Sequence, residues 1–125
     1  MIVIDASALL AYLFGEQGSD EVAAEIADSC ISTVNLAEVI GKFVERGIDA
    51  GVVGNQIGAS TIEIVPFAAQ DAERAASLLP QAGALGLSLG DRACLALALG
   101  RGIPVLTADR AWSGLDARVP IRVIR

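Results

Sequence analysis

Four acidic residues stand at equivalent places in an alternation of apolar runs and helical stretches. Asp5 ends the run Met1-Ile-Val-Ile-Asp5, and Glu38 lies one turn into the helical stretch after Cys30-Ile-Ser-Thr-Val34. Asp91 opens a near-wholly apolar helical stretch, and Asp109 follows the run Ile103-Pro-Val-Leu-Thr107. Two hydroxyls, Ser7 and Thr107, each sit two residues from an acid, where they either orient a carboxylate or hold a water, or serve only as backbone caps. In an open α/β sheet the groups at the carboxyl ends of the strands gather around one crevice, so this pattern brings all four acids to one cleft. Each acid also has a purely local reading. Carboxylates are favoured at helix N-termini, and both Asn35-Leu-Ala-Glu38 and Ser88-Leu-Gly-Asp91 fit the capping-box pattern. Capping accounts for each acid separately, but it does not require them to converge.

Convergence carries an electrostatic cost that identifies its chemistry. Two carboxylates ~5 Å apart repel by ~3 kcal/mol at an effective dielectric near ~20. Several such pairs rival the ~5–15 kcal/mol stability of a whole domain, so protons or cations must relieve them. The sequence has no histidine, and its two cysteines, Cys30 and Cys94, form no CxxC pair. That excludes Ser-His-Asp and Cys-His catalysis and the common zinc sites. It leaves an all-oxygen donor set, which favours Mg²⁺ or Mn²⁺. A metal held by carboxylates can lower the pKa of a bound water and act as a Lewis acid.

The elements that must position these groups read as strand and helix in turn. Short apolar strands are expected at 1–5, 30–34, 62–65 and 103–107, with an edge strand at 121–124. Helices are expected at 6–14, at 20–28 capped by Ser19, at 35–45, 49–60 and 68–79, and at 91–99 buried against the sheet; 83–90 reads as a glycine-rich loop. Alternating β and α with short joints predicts a mostly parallel sheet of four to five strands covered by helices on both faces, a three-layer α/β/α sandwich. With 125 residues and 54% hydrophobic residues, the chain suits a single domain over 1–125 with a real core. No apolar run is long enough to span a membrane. The apolar start carries Asp5 and no basic residues, unlike a secretory signal. The cysteines read as small buried hydrophobes in a reducing cytoplasm. Net charge is −6, unevenly spread: the first 87 residues hold three basic groups against twelve acids, the rest six against three. An acidic protein does not attract phosphates generally, so nucleic acid requires a metal or a local arginine patch, for which Arg92, Arg101 and Arg110 are candidates.

Four segments together resemble the PIN-domain ribonucleases, and among them the VapC toxins of toxin–antitoxin pairs. They are Val3-Ile-Asp5-Ala-Ser7-Ala-Leu-Leu10, Ile31-Ser-Thr-Val-Asn35-Leu-Ala-Glu38, Leu89-Gly-Asp91-Arg92-Ala-Cys94-Leu-Ala96 and Val105-Leu-Thr-Ala-Asp109-Arg110-Ala-Trp112. Each motif is weak alone, and the ordered set of four is specific. The resemblance implies a 3-2-1-4-5 strand order, a Mg²⁺ or Mn²⁺ site and endonucleolytic cleavage of RNA. It carries the family's acidic quartet onto Asp5, Glu38, Asp91 and Asp109 as catalytic and metal-binding residues, with Ser7 and Thr107 in support and Arg92 and Arg110 toward RNA. Members often have a further acid or asparagine shortly after the fourth acid. Trp112 and Ser113 stand there instead, which leaves the number of metals open. The resemblance also implies a VapB-like antitoxin and a homodimer. Leu9, Tyr12, Leu13 and Phe14 are candidates to hold an amphipathic antitoxin segment, at least half of them being core.

Rival readings fit the residues less well. A haloacid-dehalogenase phosphatase wants a second Asp where Ser7 stands. A receiver-type phosphotransfer domain wants a lysine opposite its acceptor, and the only lysine is Lys42, on an early helix. A catalytically degenerate module that binds RNA or protein is the remaining alternative, and the intact quartet weighs against it.

Overall fold

The structure, a computed structural model, describes residues Met1–Arg125. Five strands, β1 (Ile2–Ile4), β2 (Ser29–Ser32), β3 (Glu63–Val65), β4 (Val105–Thr107) and β5 (Ile121–Val123), form one sheet in the order β3-β2-β1-β4-β5. Every neighbouring pair is parallel. Seven α-helices connect them: α1 (Ala6–Leu13), α2 (Ser19–Glu25), α3 (Thr33–Glu45), α4 (Ala50–Gly58), α5 (Ala69–Ser77), α6 (Leu79–Leu85) and α7 (Leu89–Arg101).

Side-chain alternation along the strands divides the interior into two cores, one per face of the sheet. Ile2 and Ile4 join Leu9, Val22, Ile31, Val39 and Leu106 in one. Val3 joins Cys30, Cys94, Leu95, Val105 and Trp112 in the other. This is the expected three-layer sandwich. Both cysteines are free and buried. The inner strands β1, β2 and β4 are buried throughout, as parallel strands covered on both faces must be. The edge strands carry exposed Glu63 and Arg122, charges that discourage further pairing. No helix is long and apolar enough to cross a membrane.

Several boundaries differ from the sequence reading. β2 ends at Ser32 rather than 34, because the Ser32 hydroxyl accepts from the Val34 N–H (3.2 Å) and starts α3 early. Asn35 consequently lies inside the first turn of a helix instead of capping it. Ser19 makes no cap; Gly18 occupies the cap position at φ +93°. A Cβ on Gly18 would meet the Ile124 carbonyl oxygen at 2.7 Å, so only glycine lets α2 start against the last strand. The expected loop at 83–90 is half helix: α6 runs to Leu85 with Pro80 in its first turn, where no N–H is needed, and Gly86 ends it at φ +66°. Ser88 and Asp91 form the expected capping box at the start of α7.

Candidate active site

The sheet register sets up the site. Ile4 lies beside Leu106, so the next residues along, Asp5 and Thr107, emerge abreast at the carboxyl edge. Asp5 occupies the N-cap position of α1, yet its side chain makes no cap hydrogen bond. Its Oδ2 instead accepts from Ser7 Oγ at 2.6 Å and from Thr107 Oγ1 at 3.0 Å. The two hydroxyls lie 3.2 Å apart, and each is fixed by a backbone donor, Ala108 N–H on Ser7 and Asp109 N–H on Thr107. Asp5 is only 4% exposed. Burial pushes its carboxyl up from 3.8 to about 6; the two hydroxyls oppose that rise, and the charges of Asp91 and Glu38 add to it.

Three further carboxylates reach the same edge from three other elements. Glu38, on α3, accepts at Oε1 from Asn35 Nδ2 at 2.8 Å. Asp91 Oδ2 accepts from the Ser88 N–H at 2.8 Å, and Asp109 Oδ1 from the Ala111 N–H at 3.0 Å. Each of the four acids thus has one oxygen engaged by a protein donor, while its second oxygen accepts no hydrogen bond. All four line one cleft of about 190 Å³, together with Ser7, Leu10 and Lys42.

The lining fits a hard divalent cation. Its donors are oxygens, and the thiols of Cys30 and Cys94 are buried and pushed up by that burial. Asp5, Glu38, Asp91 and Asp109 would hold Mg²⁺ or Mn²⁺. No three of these side chains stand close enough together to grip one ion as they lie. A hard divalent ion usually keeps several waters and takes only one or two carboxylates directly, so bound waters would bridge the remaining acids.

The arginines lie elsewhere. Arg92 is half-buried, with Nη1 on the Ala75 carbonyl at 3.1 Å, tying α7 to α5. Arg110 is exposed, with Nε on the Arg125 carbonyl at 3.0 Å. Arg101 forks onto Glu63 at 2.9 and 2.7 Å and reaches the Met1 sulfur, at the edge of the sheet opposite the cleft. None of the three lines the cleft. The sequence reading passed over two residues that matter there. Asn35 is three positions before Glu38 and Lys42 four after, the helical spacing that puts side chains on one face.

A separate apolar groove has a volume of about 450 Å³. Tyr12 and Leu13 of α1 line it beside Phe43, Val52 and Ile57, and both are exposed. Leu9 contributes a wall while fully buried. Phe14 packs against Phe43 (ring centroids 5.0 Å apart), with Arg46 lying over its ring at 4.1 Å. The groove holds no carboxylate and is separate from the acidic cleft.

The model of the family described as PIN domain matches residues 2–117. No curated protein matches the sequence. Among solved structures, the fold is similar to a toxin–antitoxin complex from Klebsiella pneumoniae (TM-score 0.76, 18% identity, 100% of this chain and 98% of that one). It is also similar to the DNA-bound VapBC of Salmonella typhimurium (TM-score 0.72, 16% identity, 100% of both chains). VapBC-5 of Mycobacterium tuberculosis matches at TM-score 0.66 and 22% identity, over 99% of this chain and 97% of that one.

Proposed function

The chain belongs to the PIN-domain family, and we propose that it is a Mg²⁺- or Mn²⁺-dependent endoribonuclease, the toxin of a toxin–antitoxin pair. The observation that carries this reading is the cleft itself: four carboxylates from four elements, each with one oxygen tethered and the other left for a ligand. When bound, the divalent ion supplies Lewis acidity and an activated water for phosphodiester hydrolysis. The chain's residues do the positioning. Ser7 and Thr107 fix Asp5 so that its ionised form presents Oδ1. The capping bonds to Asp91 and Asp109 fix each carboxylate at a helix or turn start. Lys42 is the only cationic side chain lining the cleft and is suited to a substrate phosphate.

The toxin reading rests on the VapBC-like fold and on the family resemblance, which together support a VapB-like antitoxin as partner; a homodimer of this chain follows from the resemblance alone. The exposed apolar groove beside α1 is a suitable seat for an amphipathic antitoxin segment. The test is cleavage of labelled single-stranded RNA by the purified protein with Mn²⁺, with Mg²⁺ and with EDTA. Cleavage that requires the metal and is lost in Asp5→Asn is expected. Undiminished cleavage in EDTA, or by Asp5→Asn, overturns the mechanism.

A further inference from the structure

Asn35 is fully buried inside the first turn of α3. Its Nδ2 donates twice, to Glu38 Oε1 at 2.8 Å and to the Gly90 carbonyl at 2.9 Å. Both partners are acceptors, so the orientation of the amide is settled by the network. Its own Oδ1 is buried without any partner. An amide that spends both donors and strands its acceptor is held for the donors, because an apolar side chain would fill the site without leaving an unpaired oxygen.

Gly90 supplies the other half of the arrangement. A Cβ on it would lie 2.7 Å from Glu38 Cδ and 2.8 Å from Oε2. The Glu38 carboxylate therefore occupies the space that any larger residue before Asp91 would fill. Gly90 and Asp91 are consecutive, and α3 packs on α7. One amide thus ties the carboxylate on α3 to the peptide that carries the carboxylate on α7, across 55 residues of sequence.

We propose that Asn35, with Gly90, is a positioning pair that fixes Glu38 against Asp91 and so presets the cleft for its divalent ion. The inference rests on the metal-nuclease reading and adds to it residues that never touch the ion. Groups that orient metal ligands in this way are typically worth about 10–100-fold in metal affinity.

The experiment measures Mn²⁺ binding by isothermal titration calorimetry alongside RNA cleavage. Asn35→Leu is expected to unfold near the wild-type midpoint in EDTA, to bind Mn²⁺ at least about tenfold more weakly, and to lose kcat with KM for RNA little changed. Raising Mn²⁺ should restore most of its rate. Added to Glu38→Gln, it should cost no further Mn²⁺ affinity, because Asn35 acts through Glu38. Wild-type affinity in Asn35→Leu, or losses that multiply in the double variant, overturns the proposal. Should Asn35→Leu not fold, Gly90→Ala displaces the same carboxylate from the other side, and unchanged Mn²⁺ affinity there overturns it equally. A wild-type protein that binds no Mn²⁺ sinks the nuclease reading and this inference together; a wild type that binds and cleaves beside an unaffected Asn35→Leu sinks this inference alone.

Discussion

Asp5→Asn separates the cost of the site from its use. The Asp5 carboxyl titrates near 3.8 when unfolded and near about 6 in the fold, chiefly because it is buried. The folded state therefore favours the protonated form. Stability is lost as pH rises between those values, and the full penalty persists above pH 6. At about 1.4 kcal/mol per pH unit, the penalty is about 3 kcal/mol. Asparagine mimics the neutral acid, and its Oδ1 can still accept the Ser7 and Thr107 hydroxyls. In EDTA at pH 7.5, Asp5→Asn should gain about 2–3 kcal/mol, which is about 10 °C of melting temperature for a chain of this size. The gain should shrink below about 1 kcal/mol as pH falls toward 4. Mn²⁺ at about 100 times its Kd adds about 2.7 kcal/mol to the wild type and little to a variant missing a ligand. Saturating metal should therefore erase the variant's advantage. The assay is thermal unfolding across pH 4–8, with EDTA and with Mn²⁺. An Asp5→Asn protein less stable than wild type at pH 7.5 in EDTA, or a gain independent of pH, refutes the electrostatic account of the cleft.

Thr107→Val removes a hydroxyl donor that favours the ionised form of Asp5, so Mn²⁺ affinity should fall, and fall most at acid pH; an affinity equal to wild type from pH 5 to 8 refutes Thr107's role. Leu13 is 40% exposed in the apolar groove and does not line the acidic cleft. Leu13→Glu should weaken capture by the co-expressed antitoxin at least about tenfold, the cost of placing a charge in an apolar contact, while RNA cleavage by the free protein is retained. Undiminished capture would move the antitoxin off this groove.

The architecture was legible because short, mostly apolar strand runs alternate with helical stretches, and burial on both faces makes the inner strands of a parallel sheet apolar throughout. The strand order came with the family resemblance and agrees with the structure. What local pattern misled was punctuation. Thr33-Val34 looks like strand, but the Ser32 hydroxyl cap decides in favour of helix. Gly83 looks like loop, but it sits inside α6, where Pro80 is harmless in the first turn. The arginines show the same limit at the site. Arg92 stands next to Asp91 in sequence, yet one residue along a helix turns the side chain about 100° away, onto the Ala75 carbonyl of α5.

Capping and catalysis entered the reading of the four acids as competitors, and the geometry dissolves the competition for two of them. Asp91 and Asp109 do cap: each accepts a backbone N–H at the start of a helix or turn through one oxygen. A carboxylate has two oxygens, so the bond that orients the first leaves the second available at a fixed place. Capping at the carboxyl edge of a parallel sheet is therefore a way of building the cleft. Asp5 distinguishes the cases. It has the cap position and declines the cap, and its carboxylate is buried against two hydroxyls at a cost of about 3 kcal/mol once ionised. Helix capping alone would leave that carboxylate nearer solvent at no such cost. A bound cation would recover that expense by favouring the ionised form, which supports Asp5 as a ligand of the proposed metal site.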